Sequence, residues 1–183
     1  MQNALLHLAI VGVIEEFLKV EIPEDDEASM KKLAPDVRDE MLLANEMTVD
    51  VLGSFNKMLC AWVLRNPLTQ RKLFPLLSGI TGWLGAVPQT NDLVCGIFED
   101  NWDLCCRVTP ALLRTYARKI YDGKDEPKPV YLELFITVCC PAGKTLRRNQ
   151  VMVIDTLMKP EWVSRACSSC GLFWATPQAR GAL

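Results

Sequence analysis

The feature that most constrains this chain is the spacing of its apolar residues. Met47, Val51, Phe55, Met58 and Trp62 recur every three or four residues. At 3.6 residues per turn that spacing draws one stripe along an α-helix. The same period returns in Leu5, Leu8, Ile10, Val13, Ile14, Phe17 and Leu18, and again in Leu112, Leu113, Tyr116, Ala117 and Ile120. Prolines punctuate the pattern. The residue before a proline avoids the helical region, so Asn66-Pro67 stops the helix running from 37 to 64. Thr109-Pro110 starts another, with Thr at the N-cap and Pro at the first helical position.

Carried along the chain, the spacing predicts helices over 4–20, 37–64, 69–74 and 76–84. Asn91-Asp92 is expected to cap a helix bearing Leu93, Val94, Ile97 and Phe98. Asp100 or Asn101 restarts the chain there, with Trp102, Leu104 and Cys105 facing inward. The helix after Pro110 closes at Asp122-Gly123. Residues 130–140 are apolar almost all round and read as a fully buried helix, and 146–158 is the last. The fold class is therefore all-α. Short loops force neighbouring helices antiparallel, which gives an armadillo-like stack of helical hairpins, an α-solenoid, with a closed helical bundle as the alternative. No internal repeat decides between them. The chain divides into a leading helix and acidic loop (1–36), a helical domain (37–160) and an irregular tail (161–183).

Composition narrows the function classes. The chain has 183 residues and is 50% apolar, which excludes disorder for most of it and suits one core of ordinary size. Twenty Lys and Arg against 22 Asp and Glu leave a charge of −2, without the basic excess of a dedicated nucleic-acid binder. One histidine, His7, removes most catalytic and metal-site chemistry, and it reads as structural. The eight cysteines include the adjacent pairs Cys105–Cys106 and Cys139–Cys140 inside apolar runs, and are read as reduced, buried thiols. No signal peptide is expected, because the apolar stretch 4–14 runs into Glu15 and Glu16. The uncharged run 73–91 contains Pro75, Gly79, Gly82, Gly85 and Pro88, which favours a buried helix with loops over a membrane span.

Four motifs carry possible chemistry. Ala142-Gly143-Lys144-Thr145 has the ending of a phosphate-binding loop, but Val138 stands where the motif needs its first glycine. A helix–helix turn with Thr145 as cap is the better reading. Cys167-Ser168-Ser169-Cys170 has the spacing of half a zinc site, with no second pair nearby. The acidic stretch from Glu24 to Glu27 lacks the ligand spacing of a calcium loop. Lys144, Arg147 and Arg148 form a small basic patch at a helix start, a candidate docking surface for an acidic partner. No catalytic residue, cofactor or metal ligand is assigned.

A series of short segments resembles a known family. Arg65-Asn66, Leu73-Phe74, the run from Ile97 to Cys105, Tyr131-Leu132-Glu133-Leu134 and the run from Gly143 to Val153 follow in order and spacing. Together they resemble the RIH domain shared by inositol-trisphosphate and ryanodine receptors, the intracellular calcium-release channels. The resemblance covers roughly half the chain, about 64–159, and is nearest to the later such domain of inositol-trisphosphate receptors. It implies an armadillo-like regulatory module on the cytosolic side of an endoplasmic-reticulum calcium channel. Its partners would be neighbouring helical modules, and it would relay movement to a pore this chain does not contain. The ligand-contacting basic residues of that family have no counterpart here, so no inositol-phosphate site is implied. After Pro160 the pattern fails. A free-standing helical interaction module is the alternative, and an exposed Trp83 or Trp102 would favour it.

Overall fold

Prolines and buried side-chain amides decide where the helices of this protein begin and end. A computed structural model describes residues 11–19, 35–121 and 128–159. Helix α1 covers residues 11–17. It is followed by α2 (Pro35–Val63), α3 (Pro67–Leu73), a 3-10 turn (Phe74–Leu76) and α4 (Leu77–Gly82). Next come α5 (Thr90–Phe98), the single turn α6 (Trp102–Cys105) and α7 (Pro110–Tyr121). A 3-10 turn (Pro129–Tyr131) leads into α8 (Leu132–Cys139), and another (Pro141–Gly143) precedes α9 (Arg147–Leu157). The protein is mostly helical, and the described residues contain no strand.

Capping follows the sequence closely at two starts. Pro67 opens α3 while the Asn66 side chain accepts a hydrogen bond from the Thr69 amide at 3.3 Å. Pro110 opens α7 while the Thr109 hydroxyl accepts from the Leu112 amide at 3.3 Å. Two other starts differ from expectation. Helix α5 begins at Thr90, after Gln89 in the left-handed region (φ 59°), rather than under an Asn91-Asp92 cap. The Thr90 hydroxyl donates to the Val87 carbonyl at 2.8 Å instead. Leu146, not Thr145, is the N-cap of α9, and it offers no side-chain bond. The turn before it is made by Ala142 (φ 50°) and Gly143 (φ 71°), both left-handed.

Helix α5 lies between α2 and α8, and α9 packs on α7 and α8. Its inner face, Leu93, Val94, Ile97 and Phe98, is wholly buried. The core around it is built from Leu59 and Val63 of α2, Leu73 of α3, Leu113 and Tyr116 of α7, and Leu134 and Val138 of α8. Phe98 meets Phe74 edge-on at 5.9 Å, and Tyr116 meets Tyr131 edge-on at 6.0 Å. A smaller cluster, Leu52, Trp83 and Val87, is closed by Phe17 and Leu18 of the α1 region. Phe17 stacks on Phe55 with ring centres 4.3 Å apart. Where α2 crosses α5, Gly96 is required. A Cβ there would sit 2.8 Å from Val63 Cγ2, and Val63 is a stiff, buried side chain.

Three buried amides join the helices. Asn56 Nδ2 donates to the Pro88 carbonyl at 3.1 Å and to Thr90 Oγ1 at 2.9 Å. Gln70 Nε2 donates to the carbonyls of Gly96 at 2.9 Å and Glu99 at 3.0 Å, while its Oε1 accepts from Asn101 Nδ2 at 2.7 Å. Asn149 Nδ2 donates to the carbonyls of Cys105 and Val138, each at 2.8 Å.

Four expectations of burial are corrected. The α2 stripe chosen from the sequence is split: Met47, Val51 and Met58 are exposed by 62%, 56% and 40%, while Phe55 and Trp62 are half-buried against the core. The inward stripe is Leu52, Asn56, Leu59 and Val63, interrupted by a polar residue whose Nδ2 is paired as above while its Oδ1 has no partner among the described residues. Helix α8 is not fully buried, because Leu134, Phe135 and Val138 are buried in the core and Cys139 packs against it, while Leu132 and Ile136 are exposed. Trp102 points outward, as the first residue of a single helical turn whose Leu104 and Cys105 are buried. Among the paired thiols Cys105 is buried, but Cys140 is exposed where the chain leaves α8 for the turn. His7, Glu24 to Glu27, Asp122-Gly123, Cys167 and Cys170, read from the sequence above, lie outside the described residues.

Two substitutions test this packing. Gln70→Leu keeps the bulk but strips two carbonyls and the Asn101 amide of their partner, for an expected loss of about 2 kcal/mol in urea unfolding. Gly96→Ala gains up to about 1 kcal/mol of helix propensity and loses about 1–3 kcal/mol to overpacking against Val63. The net expectation is destabilisation, and a more stable Gly96→Ala variant would contradict the close approach.

Candidate functional site

The outward face of α5 is spaced like its buried face but differs in chemistry. Asp92, Cys95, Gly96 and Glu99 stand at i, i+3, i+4 and i+7, with acids at both ends and small residues between. Because the middle residues are small, the helices on either side stand above α5. The result is an open groove of about 540 Å³, with α5 as its floor. Cys60 and Ala61 of α2, with Leu64 just past its end, form one wall, and Glu133, Ile136 and Thr137 of α8 form the other. Leu64 is 56% exposed and Ile136 is 68% exposed, so both walls offer apolar surface to a partner.

The groove is acidic. Asp92, Glu99 and Glu133 line it, and no Lys or Arg does among the described residues. Asn91 fixes the α8 side: its Nδ2 donates to the Val130 carbonyl and to Glu133 Oε2, each at 3.2 Å. The Thr137 hydroxyl donates to the Glu133 carbonyl at 2.9 Å. Cys60 donates its thiol proton to the Gln89 carbonyl at 3.8 Å, and Cys95 donates to Asn91 Oδ1 at 3.9 Å.

Both thiols are held protonated. Burial, then the Asp92 carboxylate, pushes the Cys60 pKa from 9.0 up to about 11. Burial, then Glu133 and Asp92, pushes Cys95 up to about 12. The thiolate is the reactive form of cysteine, so the acids that define the groove also quiet its thiols. Beneath them the Tyr116 hydroxyl is buried without a hydrogen-bond partner among the described residues, and desolvation raises its pKa as well.

The basic residues singled out from the sequence stand elsewhere. Lys144 is exposed after the Pro141–Gly143 turn, and Arg147 and Arg148 are exposed in the first turn of α9. Arg148 donates to the Cys106 carbonyl, so part of its role is to tie α9 to the end of α6. None of the three lines the groove. Among the described residues no three His, Cys, Asp or Glu side chains converge to hold a metal ion, and no helix is long and apolar enough to cross a membrane. The groove was missed in the sequence because its walls come from α2 and α8, far apart in the chain. The acid–small–acid stripe of α5 was the one local signal. No family model, curated protein or solved structure matches the chain.

The thiol environment gives a direct pH test. Raised pKa values mean that iodoacetamide labelling of Cys60 and Cys95 climbs about tenfold per pH unit from pH 8 to pH 10. Mass spectrometry of each peptide reads the rates, and a plateau near pH 9 would contradict the acidic, half-buried setting.

Proposed function

We propose that this chain is a non-catalytic helical scaffold module that packs against neighbouring helical modules and passes on their movement as a nearly rigid body. The observation that carries this reading is a pair of apolar stripes, exposed among the described residues, on helices at opposite ends of the packing order. On α2 the stripe is Met47, Val51 and Met58; on α9 it is Val151, Ile154 and Met158, exposed by 50%, 59% and 68%. Contacts run from α2 to α5, from α5 to α8 and from α8 to α9, so the two stripes belong to different faces. Contiguous exposed apolar surface on a helical protein marks a place where another surface packs.

An armadillo-like stack is the arrangement we infer. Its support is that α2, α5 and α8, every third helix in chain order, are neighbours in space. In a solenoid each unit packs only against its neighbours, and a unit with neighbours on both sides is apolar on both sides, whereas a terminal capping unit is polar on its outer face. The family resemblance over 64–159 supports placing the module on the cytosolic face of a calcium-store membrane, as the relay between a ligand-binding region and a pore in other parts of a channel. The groove's chemistry suits this contact role, since its thiols are protonated and its carboxylates face solvent. One observation favours the second reading, a free-standing interaction module: Trp83 is buried, but Trp102 is 40% exposed.

The end stripes should make the isolated chain self-associate. Sedimentation velocity is expected to show species that grow with concentration, and Ile154→Glu should shift them towards monomer with a stability change within about 0.5 kcal/mol. A wild-type chain that stays monomeric at every concentration, with Ile154→Glu indistinguishable from it, would overturn the stacking reading.

A further inference from the structure

The groove over α5 belongs to neither end stripe, and its charge and shape say what it would hold. We infer that this groove docks a basic amphipathic helix of a partner protein, with apolar side chains seated between Leu64 and Ile136 and cations facing Asp92 and Glu99. The geometry sets the register. Asp92, in the first turn of α5, and Glu99, the residue that caps its C-terminus, are seven residues apart, about 10 Å along the axis at 1.5 Å per residue. A partner helix laid along α5 repeats that interval, so its basic residues fall at i and i+7 and its apolar anchors at i+3 and i+4. Those anchors land over Cys95 and Gly96, where the floor is lowest because the side chains are smallest.

Three features make the groove selective for that partner. Its carboxylates have no cation among the lining residues to neutralise them, so their field is directed at whatever enters. Glu133 is already oriented by Asn91, so little side-chain freedom is lost on pairing. The volume of about 540 Å³ takes a few apolar side chains and not a folded domain. Helix-in-groove recognition with anchors at i, i+3, i+4 and i+7 is the mode that fits. An acidic helix, a nucleic acid or an anionic lipid surface would be repelled by the same three carboxylates.

The test uses the full chain and a fluorescein-labelled helical peptide with Lys at positions i and i+7 and Leu at i+3 and i+4. Fluorescence anisotropy should show saturable binding that weakens as salt is added. The pair Asp92→Asn and Glu99→Gln, both at exposed positions, should weaken binding about tenfold while circular dichroism and thermal melting stay unchanged. Ile136→Ser should weaken it through the apolar wall, independently of charge. The Ile154→Glu variant should bind the peptide as wild type does, which separates this inference from the stacking reading. Absence of saturable binding would overturn the proposal. So would equal binding of a peptide carrying Glu in place of Lys, or unchanged affinity in the Asp92→Asn, Glu99→Gln protein.

Discussion

Helix α5 is held at both ends by amide side chains that belong to other helices, and the rest of the structure is arranged around that fact. At its start, Asn56 of α2 grips the Pro88 carbonyl and the Thr90 hydroxyl. At its end, Gln70 of α3 takes the carbonyls of Gly96 and Glu99, two of the acceptors that a helix terminus leaves without partners. An unpaired buried amide costs about 1–3 kcal/mol, so each contact is available only in one register. With both ends fixed, the face bearing Leu93, Val94, Ile97 and Phe98 must point into the core. The opposite face, acid–small–acid, must then line the groove.

Legibility in the sequence tracked how local the deciding interaction was. Helix α7 was readable at its start and on its buried face, because its cap (Thr109), its first residue (Pro110) and that face all lie within one segment, and Leu112, Leu113, Tyr116, Ala117 and Ile120 are all buried. Helix α2 misled, because it carries two apolar stripes and the true inward one contains Asn56. That asparagine looks like a surface residue until its partners Pro88 and Thr90, more than thirty residues away, are in place. Helix α8 misled for the converse reason. An apolar run reads as buried on every side, yet Leu132 and Ile136 remain exposed. The groove was least legible, since three separate helices make it. The basic patch at Lys144, Arg147 and Arg148 was legible as a patch, but Arg148 also holds a backbone carbonyl of the neighbouring turn.

The protein thus presents two kinds of surface with different physics. The stripes on α2 and α9 are apolar, without charge to select a partner, and suit extended packing against other helices. The groove combines exposed apolar walls with three carboxylates, a charge pattern that the stripes lack. Helix α5 lies between them, packed against α2 on one side and α8 on the other.

The central claim, that α5 is the fixed element on which the other helices depend, is tested most directly by native-state hydrogen exchange followed residue by residue. The amides of α5 should exchange only through global unfolding, with the full unfolding free energy, while those of α2 near Met47 and of α9 near Ile154 open at lower cost. Exchange of the α5 amides as fast as those of α2 and α9 would contradict the account.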